Sequence, residues 1–252
     1  MDNFKPSDKW FVRASSMGAL MSTSRTKGET FGATAREVIS DAIRFNRDGT
    51  EKDIDMKWMR KGIQNESQAL EMLLNHEKIH FHKDDDGFVI TNKKRRFNDF
   101  IQGEPDWDDE NLLADVKCSW TASSFPDKLK KPSEDLKKIN KAYFYQMQCY
   151  LWLCHKETSL LAYCLTDTPD DLFENEVRWK SERKMGEPES LNMDMSEVEQ
   201  EVREKLGKVM KFGQVKNRMR IFRVDRDEKA IEEMKERIIE ARKVYDEFYH
   251  EI

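Results

Sequence analysis

Asp106, Asp115 and Lys117 have types and a spacing that can do chemistry. An acid follows Pro105, a second acid stands nine residues on, and a lysine lies two residues beyond it. Two carboxylates and an ammonium at one point are what metal-assisted cleavage of a phosphodiester requires. Carboxylates pushed together repel and raise one another's pKa, so the arrangement is costly unless a cation sits between them. Magnesium or manganese, one ion or two, is the natural candidate, because both are hard ions that favour oxygen ligands. Lys117 would orient or deprotonate a water, or neutralise charge growing on the phosphate. The bland alternative is a hairpin carrying a solvated ion pair, since an acid, one residue and a lysine recur by chance in a chain that is 37% charged.

The flanking residues say how such a site is positioned. Leu112 to Cys118 reads as a strand on which Leu112, Ala114, Val116 and Cys118 share one face and Asp115 and Lys117 the other. Ile101 to Asp106 reads as a strand tip ended by Pro105, and Asp108-Asp109-Glu110-Asn111 as the polar turn of a hairpin that lays Asp106 beside Asp115. Gly62 to Leu74 has helical periodicity, with Ile63, Leu70, Leu73 and Leu74 marking the buried stripe and Glu66 falling on it. Either a metal ion partners that carboxylate, or the helix rolls and Glu66 reaches solvent. Lys141 to Leu153 is a second helix, with Gln146 and Tyr150 four apart on one face of an otherwise aromatic and aliphatic segment.

In this order, Glu66, Pro105-Asp106, Asp115-Val116-Lys117 and Gln146-Met147-Gln148-Cys149-Tyr150 resemble the PD-(D/E)xK nuclease superfamily. The last element is similar to the Q-x-x-x-Y signature of its RecB-like branch. More closely, the chain resembles the lambda-type phage exonucleases, the YqaJ viral recombinase family. Arg13 to Gly18 looks like that family's opening segment, Gly62 to Glu66 followed by Ala69 like its Gly-x-x-x-Glu helix, Asp115 to Cys118 like its Glu-x-Lys-Cys strand, and Val224 to Lys229 like the strand that opens its last helix. The resemblance implies a restriction-endonuclease-like core. It implies Asp106 and Asp115 as metal ligands, Glu66 completing the site or holding a second ion, and the Val116 backbone carbonyl as a further ligand. Lys117 would be base or electrostatic stabiliser, Gln146 a water- or lysine-positioning group and Tyr150 a supporting residue. It further implies digestion of linear duplex DNA from the 5′ end, a 3′ single strand left for a phage annealing protein, and a ring-shaped trimer. Asp115 departs from the commoner glutamate. Glu104 stands where small residues are usual, as an added carboxylate near the metal or a solvent-facing side chain. Residues 168–216 look longer than the matching connection.

Composition bounds this reading. A chain of 252 residues with six tryptophans and fourteen phenylalanines supports a folded core. The expectation is one nuclease domain over 1–252, with a core of about 10–167 and 217–252 and an inserted segment of about 168–216. Neither an apolar run of membrane-spanning length nor a cationic-then-apolar leader is visible, so a protein of the bacterial host's cytoplasm is expected. Cys118, Cys149, Cys154 and Cys164 read as small buried thiols, without the spacing of an iron–sulfur cluster, and His76, His80 and His82 as surface residues. The net charge of -5 runs against DNA binding, but its distribution does not. Lys93, Lys94, Arg95 and Arg96 precede the hairpin, and Lys128, Lys130 and Lys131 open a lysine-rich loop after it. Arg13, Ser15 and Ser16 would contact a 5′ phosphate, with Ser15 or Ser16 also capping the next helix.

Strands are expected near 88–90, 95–100, 112–118, 159–166, 175–180 and 218–224. Helices are expected near 16–21, 34–46, 62–74, 141–153, 196–212 and 227–249. That order predicts an α/β (mixed α+β) fold, a central mixed sheet flanked by helices with a helical C-terminal elaboration. Two other functions remain open on the sequence: a structure-selective or restriction-type endonuclease with the same metal chemistry, and a DNA-binding module with a decayed site.

Overall fold

The computed structural model describes residues 10–24, 26–50, 56–91, 93–187, 190, 192–213 and 217–251. In chain order the elements are β1 (Val12–Arg13), α1 (Ala14–Leu20), α2 (Ala33–Asp48), α3 (Lys57–Glu77), β2 (Arg96–Phe97), β3 (Ile101–Gly103), β4 (Trp107–Asp108), β5 (Leu113–Cys118), α4 (Leu136–Ile139), α5 (Lys141–Cys154), β6 (Thr158–Cys164), α6 (Asp170–Met185), α7 (Met195–Met210), β7 (Met219–Asp225) and α8 (Glu228–Phe248). Two mixed sheets result, one ordered β1-β3-β2 and one ordered β4-β5-β6-β7. In the larger sheet β5 and β6 are parallel, joined by a crossover through α4 and α5, while β4 and β7 run antiparallel to their neighbours.

The alternation along β5 divides the core in two. Leu113 faces a large cluster with Met147, Leu151, Leu161, Phe222, Met234 and Ile238. Ala114 and Val116 face a second cluster with Ala69, Leu70, Leu73 and Leu74 of α3. Strand β5 is therefore covered on both faces, α5 over one and α3 over the other, as expected for the central strands of a layered fold.

Several expected elements change. The hairpin partner of β5 is β4, two residues long, whereas β3 belongs to the other sheet and pairs with β1 and β2. Pro105 and Asp106 sit at the switch between sheets, because proline cannot continue a ladder. Residues 88–90 contribute one isolated bridge, Lys83 to Val89, and 95–100 only the short β2. The expected strand at 175–180 is helical and lies inside α6, which opens with Asp170 and Asp171 and ends with Arg183 and Lys184, charges that suit the two ends of a helix dipole. In α3 the buried positions are Lys61, Asn65, Ala69, Leu70, Leu73 and Leu74, so Ile63 is not on the core stripe and is 74% exposed.

Helices α6 and α7 pack together around Phe173, Val177, Val198, Val202, Leu206 and Met210. Polar contacts tie α3 to α6 and to the segment leading into it. Lys57 pairs with the buried Glu176 at 2.6 Å, and Asn65 donates to Thr166 Oγ1 and the Asp167 carbonyl. The fully buried Lys61 donates to the Trp120 carbonyl and Thr168 Oγ1.

Candidate active site

The register of the β4–β5 hairpin assembles the site. Trp107 lies opposite Ala114, so the residue before it, Asp106, stands beside Asp115. One bond fixes it there: the Val116 backbone N–H donates to Asp106 Oδ2 at 2.8 Å. Both carboxylates are buried, Asp106 at 8% exposure and Asp115 at 2%. Lys117, on the same face of β5 as Asp115, ion-pairs with it, and its ammonium lies 5.2 Å from the centre of the Tyr143 ring.

Electrostatics follow from that burial. Desolvation, then the nearby Asp106 charge, push the Asp115 carboxyl up to about 7. Desolvation works against the Lys117 ammonium, but the Asp115 and Asp106 charges outweigh it and hold Lys117 above the ordinary lysine range. The buried Asp115 Oδ2 is the atom that the Lys117 ammonium contacts.

Glu66 comes from α3, half-buried rather than snorkelled fully into solvent. Its partner is Lys93, whose ammonium pairs with Glu66 and lies 3.7 Å from Asp106 Oδ1. Among the described residues, no group of three His, Cys, Asp or Glu side chains is gathered closely enough to hold a metal ion. Instead the lysines stand as counter-charges, Lys93 between Glu66 and Asp106 and Lys117 against Asp115. Asp106 and Asp115 stand side by side with Glu66 across Lys93, and hard carboxylate oxygens are the chemistry that a hard divalent cation takes.

Helix α5 contributes Gln146 and Tyr150 as a bonded pair, with Gln146 Nε2 donating to the Tyr150 hydroxyl at 2.8 Å. The group of α5 that touches Lys117 is Tyr143. Tyr150 lies against β3, where Gly103 makes room: a Cβ there would meet the Tyr150 ring at 2.9 Å and Ala14 Cβ at 3.0 Å. Beside Tyr150 opens a polar cavity of about 350 Å³ lined by Arg13, Ser15, Arg95, Gln102 and Glu104. Ser15 and Ser16 lie inside α1 rather than capping it, because the N-cap is Arg13 and makes no side-chain cap bond. Ser16 is half-buried and does not line the cavity.

The basic runs divide. Lys93 belongs to the carboxylate cluster, Arg95 lies 3.8 Å from Glu104, and Arg96 is held by Asp108. Lys94 is exposed. Lys128 pairs with Glu134 and Lys130 with Asp127, while Lys131 lines a second cavity next to Lys117. Sequence reasoning placed Lys93 among DNA contacts, since nothing in a run of four basic residues marks the one that turns inward. It also passed over Trp58, Trp120 and Tyr143, which stand around Lys117 in that second cavity. All four cysteines are free thiols.

No family model matches the chain, and no curated protein does. Solved structures do. A phage related exonuclease from Haemophilus somnus 129PT superposes with a TM-score of 0.66 over 95% of each chain at 24% identity. An alkaline exonuclease from Laribacter hongkongensis gives 0.57 over 95% of this chain and 89% of its own at 14% identity. The fold is that of these exonucleases. The Laribacter hongkongensis protein in complex with dAMP gives 0.56 over 99% of this chain and 94% of that one, also at 14% identity. The correspondence runs through nearly the full length of each partner. Among the described residues no helix is long and apolar enough to cross a membrane.

Proposed function

We propose that this chain is a metal-dependent deoxyribonuclease of the PD-(D/E)xK type. It acts as an exonuclease on linear duplex DNA, from the 5′ end, in a phage or prophage recombination system that passes the 3′ strand to an annealing protein. The observation that carries the reading is the bond from the Val116 N–H to Asp106, which holds two buried carboxylates and Lys117 at one point on the sheet. The exonuclease fold of the neighbours and the dAMP bound to one of them support it.

Asp106, Asp115 and the Val116 carbonyl would hold magnesium or manganese, and Glu66 would join them where the ion displaces the Lys93 ammonium that now stands between Glu66 and Asp106. Such an ion lowers the pKa of bound water and neutralises phosphate charge. The chain's own groups do the rest. Lys117, on the same face of β5 as Asp115 and in contact with it, would orient or deprotonate the attacking water or stabilise charge at the phosphate. Gln146 and Tyr150 brace each other next to the carboxylates, and the Arg13–Ser15–Arg95 cavity offers cationic and hydroxyl donors to a terminal phosphate. A trimeric ring around DNA would keep the substrate captive, as the family resemblance implies.

The test is digestion of end-labelled linear duplex beside covalently closed circles, with magnesium, manganese or chelator. Linear DNA should shorten from its 5′ ends with either metal and stay intact in chelator. Nicking of closed circles would favour the endonuclease reading instead. Lys117→Ala should slow turnover by about 10²- to 10⁴-fold while DNA affinity is largely kept. A wild-type chain that binds DNA but cuts neither substrate with either metal would leave only a DNA-binding module, and unchanged turnover in Lys117→Ala would remove Lys117 from the chemistry.

A further inference from the structure

Resting on the nuclease reading above, we propose that the cavity next to Lys117 holds an unpaired nucleobase of the strand being cut, stacked on Trp58. The cavity, about 430 Å³, is lined by Trp58, Lys117, Trp120, Lys131, Tyr143 and Tyr163 among others. Aromatic faces beside cations are the combination that binds single-stranded nucleic acid, bases stacking on rings while lysines track the phosphates. Trp58 is 51% exposed, so its indole leaves a face open to a ligand.

Two helices measure the distance from this cavity to the carboxylates. On α3, Trp58, Gly62 and Glu66 are spaced by four, on one face over roughly 12 Å. The middle position is kept clear: a Cβ on Gly62 would meet nothing within 4 Å. On α5, Tyr143, Gln146 and Tyr150 share a face over roughly 10 Å, with Tyr143 lining the aromatic cavity and Tyr150 the polar one. The two cavities therefore lie toward opposite ends of the carboxylate site. A strand whose end phosphate occupies the polar cavity would cross the carboxylates and reach Trp58 within a few nucleotides.

The wall of the cavity is built in advance. Arg220, 5% exposed, donates to the carbonyls of Pro126 at 2.5 Å, Lys131 at 2.7 Å and Ser133 at 2.6 Å, which fixes the lysine-rich loop from beneath. A ligand meeting that loop pays little ordering cost, the usual condition for a specific pocket.

The experiment uses 5′-phosphorylated single-stranded tetranucleotides carrying 2-aminopurine at the second, third or fourth nucleotide, with calcium replacing magnesium so that the strand is bound and not cut. Binding to the wild-type protein should quench 2-aminopurine at one of these positions. Trp58→Ala should relieve that quenching and weaken binding about tenfold, Trp58→Phe should keep most of both, and Gly62→Leu should weaken binding with Trp58 intact. Trp179→Ala, equally exposed but outside the cavity, should change nothing. If Trp58→Ala binds and quenches like wild type while wild type digests linear duplex in magnesium, the cavity assignment is overturned and the nuclease reading stands. If wild type neither binds the oligonucleotides nor digests duplex, both fall.

Discussion

Helices α3 and α5 cover opposite faces of β5 and both reach the candidate site, yet they are held in different ways. Helix α5 is buried from Phe144 to Leu151 without interruption, so Gln146 and Tyr150 sit in a packed interior that side chains cannot leave without opening a cavity. Helix α3 buries one stripe and leaves Trp58, Met59 and Ile63 largely exposed. Its second half rests on the sheet through leucines, and its first half is tied by Lys57, Lys61 and Asn65 to the segment around α6. The difference assigns two jobs: α5 is a fixed reference for the Lys117 side of the site, and α3 offers the surface that a substrate can meet.

The sharpest way to break that contrast is to truncate one apolar residue on each helix. Leu151→Ala in α5 should cost about 2–5 kcal/mol of unfolding free energy, while Ile63→Ala in α3 should change it by no more than about 0.5 kcal/mol. Urea denaturation of the two variants decides this, and equal losses would erase the distinction.

A comparable effect is expected where α3 is anchored. Burial lowers the Lys61 ammonium from 10.5 to about 8, so between those values the unfolded chain binds more protons than the native state. Its burial cost is fully present below about pH 8 and fades as pH rises to 10.5, so wild-type stability should gain on the order of 3 kcal/mol across that window from this group. Lys61→Met should lack that gain, which denaturation at a series of pH values would show. Parallel pH profiles for the two proteins would mean that the lysine is not held uncharged there.

The smallest effect concerns Lys93, whose ammonium links Glu66 of α3 to Asp106. Replacing it by methionine removes the ammonium from between Glu66 and Asp106. The metal-free protein should melt lower and manganese should bind about tenfold tighter, a difference of about 1.4 kcal/mol. Melting temperature followed against manganese concentration reads both. Identical titration curves would show that Lys93 does not compete for the carboxylates.

How much of this was legible beforehand can be traced residue by residue. The alternation of Leu112 to Cys118 gave the strand and the shared face of Asp115 and Lys117, because side-chain direction along a strand is a local property. The four-residue spacing of Gln146 and Tyr150 gave their contact for the same reason on a helix. Reading 175–180 as a strand failed because its helix is secured by packing against α7, which no window of that length contains.

Local order, the helix and strand periods and the chemical identity of the carboxylates and lysine were set by the amino-acid sequence alone, since each depends on neighbours within a few positions. Three things were decided only in the tertiary structure: that β3 joins a different sheet from β5, that Lys93 turns inward to Glu66 and Asp106, and that Trp58 stands beside Tyr143 and Lys117. Each brings together residues far apart in the chain. The side chain of Lys93 is chemically the same as that of the exposed Lys94 beside it, and the fields and contacts that separate them exist only once the chain has folded.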